Sequence, residues 1–271
     1  MLLSEHHLAV QDAVRTFVRE RIAPHAASWD KSQHFPREEL QGLAALGCYG
    51  VAVPAEYDGA GLDYLALAVI LEEIAAGDGA TSTIVSVNNC PVCSILMAYA
   101  NDAQKERWLK PLARGAMLGA FCLTEPHVGS EAGGLKTTAV RDGDAYVLDG
   151  VKQFITSGKN GDVAIVMAVT DRSAGKRGIS AFVVPTSTPG YTVARLEEKT
   201  GQHASDTAQI VLERCRVPAE NLLGEEGQGL KIALSGLEGG RIGIGAQAIG
   251  MARAAFDAAL AYARERVAFG K

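Results

Sequence analysis

The sequence lacks most of the features that would assign it quickly. It has no surplus of basic charge: 26 Lys and Arg face 31 Asp and Glu, for a formal net charge of -5. This argues against a nucleic acid or an anionic membrane surface as partner, since both reward positive charge. No apolar run reaches the roughly 18 residues that a membrane span requires. The opening Met1-Leu-Leu-Ser-Glu-His-His7 has neither the basic flank of a signal peptide nor the Arg-rich face of a transit peptide. Five cysteines, an odd number in 271 residues, do not make a secreted disulfide framework, so a cytoplasmic setting is expected. Cys90-Pro-Val-Cys93 has no second pair, the six histidines lack metal-ligand spacing, and no metal is expected. A Gly-x-Ser-x-Gly elbow and a Gly-x-x-x-x-Gly-Lys-Ser/Thr phosphate loop are absent too.

What is present is an ordinary globular composition, 48% hydrophobic and 21% charged, in a chain long enough for roughly two domains. Its texture changes twice. Up to about residue 117 it is helical: Val10, Val14, Phe17, Val18 and Ile22 paint one helix face behind a Ser4 cap. Pro36 opens a second helix, Pro54 to Gly61 is a loop, and helical spacing returns over Leu65–Ile74, Thr83–Ala100 and Ala103–Leu109. Between about 118 and 217 the spacing becomes that of strands. Lys136–Arg141 and Ala145–Leu148 flank an Asp142-Gly143-Asp144 turn, and Val163–Val169, Ile179–Val184, Tyr191–Leu196 and Ala208–Leu212 follow. After the glycine-rich Gly224–Gly229 the chain turns helical again. The expected fold is an α+β multidomain arrangement: an all-α domain over 1-117, an antiparallel β-barrel or sandwich over 118-228, and the start of a C-terminal helical bundle over 229-271.

Gly243-Ile-Gly245-Ala-Gln-Ala248 imitates a dinucleotide fingerprint, but neither a preceding strand nor a following acidic strand accompanies it. Small residues for close helix packing explain it better. Two loops carry more chemistry. Phe121-Cys-Leu-Thr-Glu-Pro-His-Val-Gly-Ser130 presents the Thr124 and Ser130 hydroxyls beside backbone N–H groups. Phe154-Ile-Thr-Ser-Gly158 sets an aromatic face two residues from a hydroxyl, as a flat heteroaromatic ring requires. Each loop alone reads better as an ordinary β-turn with a core Phe.

Taken together and in order, these segments resemble the acyl-CoA dehydrogenase family. Cys122–Ser130 is similar to its first signature, and Lys152-Gln-Phe-Ile-Thr156 to its Trp-Ile-Thr flavin loop. Glu213–Pro218 with Asn221–Gly224 resembles the end of its β-domain. Glu238-Gly-Gly-Arg241 and Arg264–Lys271 resemble the first helices of its C-terminal domain, and Pro54–Asp63 its N-terminal domain. Ser82–Asn89 and the Gly-Gly-Arg-Ile-Gly-Ile run ending at Ile244 look most like short-chain members.

The resemblance implies FAD bound without a Rossmann motif. Phe121, Leu123 and Thr124 would meet one side of the flavin, and Phe154, Ile155 and Thr156 the other. Phe154 replaces the usual Trp, and Glu131 replaces the Asp that usually follows Ser130. Ser130 would lie along the pantetheine, and Glu238 and Arg241 would contact the CoA moiety. Arg266 and Phe269 would reach the FAD of a neighbouring copy, implying a homodimer or homotetramer. The implied reaction is α,β-dehydrogenation of a short or branched acyl-CoA to the trans-2-enoyl-CoA, with electrons passed to an electron-transferring flavoprotein in fatty acid or amino acid catabolism. The catalytic base is expected beyond Lys271, because Gly240 occupies the alternative position and Glu238 lies on another helix face. Alternatives are an acyl-CoA oxidase, a flavin monooxygenase relative, or a non-catalytic flavin- or acyl-CoA-binding chain. A last expectation is an exposed apolar helix face over residues 246 to 263.

Overall fold

Ser4 starts the first helix in the computed structural model, which describes residues 3–270. Met1, Leu2 and Lys271, the last residue of the Arg264–Lys271 motif, lie outside the described residues. The Ser4 hydroxyl accepts from the His7 N–H and the His7 ring accepts from the Ser4 N–H, both at 3.3 Å, closing a capping box without the usual Glu. Helix α1 (Glu5–Phe17) runs on through a widened turn to Ile22, and Val14, Val18 and Ile22 form its buried stripe. Helices α2 (Ala26–Ser32) and α3 (Arg37–Ala45) follow, α3 starting directly behind Pro36. Asp63 caps α4 (Tyr64–Gly77) and Asp78 caps α5 (Gly79–Val87), each accepting a backbone N–H of its own first turn. The single helix expected over Thr83–Ala100 is interrupted by a π-type turn, Asn88–Cys93, around Pro91, and resumes as α6 (Ser94–Tyr99). Short helices α7 (Asp102–Gln104) and α8 (Lys110–Ala113) close this region.

Gly79–Tyr99 is long and apolar enough by composition to cross a membrane, contrary to the expectation that no such run exists. Yet 78% of its most apolar window is buried inside the fold, so it serves as core.

Eight strands follow: β1 (Gly119–Cys122), β2 (Thr138–Asp142), β3 (Ala145–Thr156), β4 (Val163–Val169), β5 (Ile179–Pro185), β6 (Tyr191–Leu196), β7 (Thr207–Pro218) and β8 (Leu222–Leu223). They lie in the order β6-β7-β3-β2-β4-β5-β8, with β1 also on β4. The sheet is mixed rather than wholly antiparallel. β1 runs parallel to β4, and β2 meets β4 in parallel at Thr138 and Val169. The β2–β3 hairpin supplies the long crossover that a parallel pair needs. β4 and β5 are buried on both faces, which explains their unbroken apolar runs. Val163, Ile165 and Met167 pack toward the helices, while Ala164, Val166 and Ala168 pack into a second core with Phe182 and Tyr146.

One continuous helix, α9 (Gly229–Glu265), completes the described chain. Its seven interior and terminal glycines are poor helix formers, about 1 kcal/mol each below Ala. Contact explains several of them. A Cβ on Gly236 would meet Pro91 and Ile95, one on Gly239 would meet the Cys90 sulfur, and one on Gly243 would meet the Ser86 hydroxyl and Leu71. The false dinucleotide fingerprint is therefore part of a helix–helix seam. Beyond Arg253, whose guanidinium binds Glu72 and Glu73 of α4, the helix leaves its neighbours. The expected apolar face is there, with Ile249, Phe256 and Tyr262 each about 60% or more exposed.

Candidate functional site

The two loops singled out in the sequence are direct neighbours. The Gln153 N–H donates to the Thr124 carbonyl at 2.9 Å, joining the segment after β1 to β3. The Phe154 segment is not a loop but strand with one extra residue: Lys152 faces Ile210 and Ile155 faces Ala208, so β3 advances three positions while β7 advances two. The bulge turns Phe154 out of the sheet. Its φ is +59°, and 62% of the residue is exposed, although Gln153 and Ile155 on either side are buried. A bulky non-glycine residue held left-handed costs on the order of 1–2 kcal/mol, and exposing its ring gives nothing back in stability. Ser157 repeats the conformation at φ +58°, and its buried hydroxyl has no partner. Thr124 and Thr156 are half-buried on the two adjoining segments, Leu123 is buried and Phe121 half-buried.

Beneath this bulge lies an ion pair to which the sequence reading assigned no role. Lys152, wholly buried, donates to Glu125 at 2.8 Å and to the Leu123 carbonyl at 3.2 Å. Glu125 also accepts the N–H groups of Lys136 at 2.7 Å and Thr137 at 3.1 Å. Burial raises the Glu125 carboxyl, but the Lys152 ammonium and these N–H groups outweigh it and hold the group below the ordinary carboxylate range. Only the alternation of β3 could have flagged Lys152: Leu148, Lys152 and Ile155 are core positions, and a lysine there demands a partner. On the other side the Gln153 side chain donates to Glu197 and accepts from Gln209 at 2.6 Å, and Ser157 N–H donates to the Asp206 carbonyl. The 197–206 loop thus backs the bulge.

The remaining candidates stand apart from this cluster. Ser130 is exposed on the loop following Thr124, and the neighbouring Glu131 is exposed as well. Glu238 and Arg241 are exposed on α9, on the turns that pack over Cys90. There Tyr64, Leu67, Cys90, Ser94 and Met97 line a cavity of about 250 Å³ between the N-terminal helices. Arg266 ends α9, and Phe269 is fully exposed beyond it. At 1.5 Å per residue the helix carries them roughly 55 Å from Gly229, which packs on Ser180 of β5. Among the described residues no group of His, Cys, Asp and Glu could hold a metal.

Comparison with known proteins agrees with this arrangement. Family models of the acyl-CoA dehydrogenase N-terminal, middle and C-terminal domains match residues 4–116, 120–215 and 227–271. The rat mitochondrial short-chain specific acyl-CoA dehydrogenase is 44% identical over 268 residues, covering 99% of this chain and 65% of the relative. This chain therefore spans about two thirds of that enzyme's length. The structure of butyryl-CoA dehydrogenase from Megasphaera elsdenii superposes with a TM-score of 0.95 at 39% identity, over all of this chain and 72% of that one. A glutaryl-CoA dehydrogenase from Mycobacterium smegmatis, in complex with FADH2, superposes with a TM-score of 0.93 at 36% identity, over 99% of this chain and 68% of that one. Sequence, fold order and the paired segments around Thr124 and Phe154 lead to one assignment: the chain belongs to the acyl-CoA dehydrogenase family.

Proposed function

We propose that this chain binds FAD against the Thr124 and Phe154 segments and holds an acyl-CoA thioester there for α,β-dehydrogenation to the trans-2-enoyl-CoA. The observation that carries the proposal is Phe154, a large ring that is both exposed and held left-handed. The residues fit the cofactor: an aromatic face, two threonine hydroxyls that no other side chain engages among the described residues, and an orphaned Ser157 hydroxyl lie around the C-terminal end of β3. When bound, FAD supplies the hydride acceptor. Phe154 stacks on the ring and Thr124 and Thr156 orient it, with Phe121, Leu123 and Ile155 filling behind them. Ser130, Glu238 and Arg241 hold the CoA portion, and the modest cavity at Tyr64 and Cys90 supports a short or branched acyl group.

The two carboxylates bonded to the cluster, Glu125 and Glu197, are both engaged, by Lys152 and by Gln153. Neither is free to take an α-proton, which sharpens the expectation of a base elsewhere. Arg266 and Phe269, remote from the cluster, are proposed to reach the FAD of a second copy, the guanidinium pairing with a phosphate in two-point geometry. The proposed electron acceptor of the loaded enzyme would be an electron-transferring flavoprotein. All five cysteines are free and buried, which supports a reducing, cytoplasmic compartment.

Titration of the purified chain with FAD tests the proposal. Saturable binding with quenched flavin fluorescence is expected, weakened at least tenfold in Phe154→Ala, about 1.4 kcal/mol. Equal binding by variant and parent overturns the assignment of Phe154. With FAD bound, anaerobic bleaching by butyryl-CoA and fast reoxidation by an electron-transferring flavoprotein support a dehydrogenase. Rapid turnover with oxygen alone supports an oxidase instead.

A further inference from the structure

The ion pair under the bulge does more than neutralise itself. Glu125 and Lys152 together engage one carbonyl and two N–H groups, Leu123 on one side and Lys136 and Thr137 on the other. Those residues are the two ends of the connection between β1 and β2, the segment that carries Thr124, Ser130 and the tight Glu125–Val128 turn. Lys152 itself belongs to β3, two residues before Phe154. One buried pair therefore fastens both ends of one site segment to the strand that carries the other.

Peptide geometry makes the consequence specific. In a trans peptide the carbonyl of one residue and the N–H of the next point in opposite directions. Lys152 fixes the Leu123 carbonyl, so it also fixes the direction of the Thr124 N–H, away from the ammonium. The Thr124 carbonyl is fixed in turn by the Gln153 N–H at 2.9 Å. Both peptide groups flanking Thr124 are thus oriented by consecutive residues of β3. Apolar side chains at positions 125 and 152 together would fill the core without orienting either group, and would avoid the cost of burying two charges.

Resting on the flavin reading above, the geometry assigns to Lys152 and Glu125 a positioning role: they set the distance and angle between the Thr124 peptide and the Phe154 ring, and with them the fit of the flavin. Neither residue is a catalytic residue.

Two measurements on the 271-residue chain test this. The first uses no flavin: amide hydrogen exchange in the parent and in Lys152→Met. Exchange in segments 121–130 and 152–158 is expected to quicken at least tenfold, while the α4–α9 contact keeps its protection. A purely structural loss would speed all of them together, and unchanged exchange in the two segments would equally overturn the role. The second measures FAD affinity and the visible circular dichroism of bound flavin in Lys152→Arg, which keeps the charge and the fold but not the point contact. A displaced dichroic band with at least threefold weaker binding is expected, and a spectrum and affinity identical to the parent would overturn the role. Should Lys152→Met not fold, Lys152→Arg supplies the exchange comparison as well. If the parent binds no FAD, the flavin reading fails while the exchange result still decides whether the pair positions the two segments.

Discussion

Two parts of this molecule expose apolar side chains, and they do so for different physical reasons. At the C-terminal end of β3, Phe154 is exposed because its backbone is forced left-handed by a bulge that a buried ion pair, the Gln153 amide and the 197–206 loop all brace. On the outer half of α9, Ile249, Phe256 and Tyr262 are exposed with relaxed helical backbone, and beyond Arg253 no residue of that helix is buried. Exposure is common to both. Strain supported from beneath belongs to the first alone, and it marks a place where the fold gives up stability to hold a side chain in position. The α9 face is a surface without such support, and a partner would recognise it by area alone.

The sharpest way to break the comparison is within α9 itself, at two glycines five residues apart. A Cβ on Gly250 would lie 2.2 Å from the Glu72 carbonyl oxygen, and backbone cannot swing aside as a side chain can. A Cβ on Gly245 meets nothing within 4 Å. Gly250→Ala is expected to lose about 1–3 kcal/mol through overpacking. Gly245→Ala should gain about 0.5–1 kcal/mol by removing glycine's entropy from an exposed helix interior. Urea unfolding of the two variants checks this. Equal effects would mean that the inner seam is no better packed than the outer face.

The next test addresses the strain at position 154. In an ordinary strand alanine is more stable than glycine, whereas at φ +59° the order reverses. Phe154→Gly is expected to be more stable than Phe154→Ala by about 1 kcal/mol. The usual order would show that the bulge relaxes once the ring is gone, and that the ring itself holds the conformation.

These contrasts also show what was legible in the sequence and what was not. The order of helices, strands and helix could be read because period and turn residues are local: the Asp142-Gly143-Asp144 hairpin lies where its turn chemistry puts it. The segments around Thr124 and Phe154 could be recognised as motifs, but their contact could not, since it runs through one backbone bond and the hydrogen bonds of Lys152 across nearly thirty residues. Phe154–Thr156 read as a loop because a bulge and a loop share the same irregular pattern. The Lys152–Glu125 pair was hidden because a charged residue reads as surface until the opposite charge is placed beside it. The Pro91 break within Thr83–Ala100 is the converse case, a breaker present in the sequence and overlooked within a strongly apolar run.

The smallest effect concerns how far the support for the site edge extends. The 197–206 loop is anchored to α2 by His203, whose Nδ1 lies 2.9 Å from the Asp30 carboxylate and whose Nε2 lies 2.6 Å from the Lys199 carbonyl. Both neighbours are acceptors, so only the doubly protonated ring satisfies them. The Asp30 carboxylate first, and the Lys199 carbonyl after it, hold the His203 pKa above the ordinary imidazole value. A raised pKa contributes stability that is complete below the unfolded value, about 6.5, and is lost as pH rises through the folded one. Asp30 is held low by the His203 N–H and ring, so its own contribution disappears only in acid. The melting-temperature gap between the parent and His203→Gln should therefore be widest near about pH 5–6 and narrow steadily toward pH 8. The protection of the Ser157 amide, which bonds to Asp206 of the same loop, should fall over the same range once the intrinsic rise of exchange with pH is divided out. A gap that is flat across that range would show that folding leaves the His203 pKa unchanged and that its contact with Asp30 adds nothing. The site edge would then be braced by the sheet and the buried pair alone.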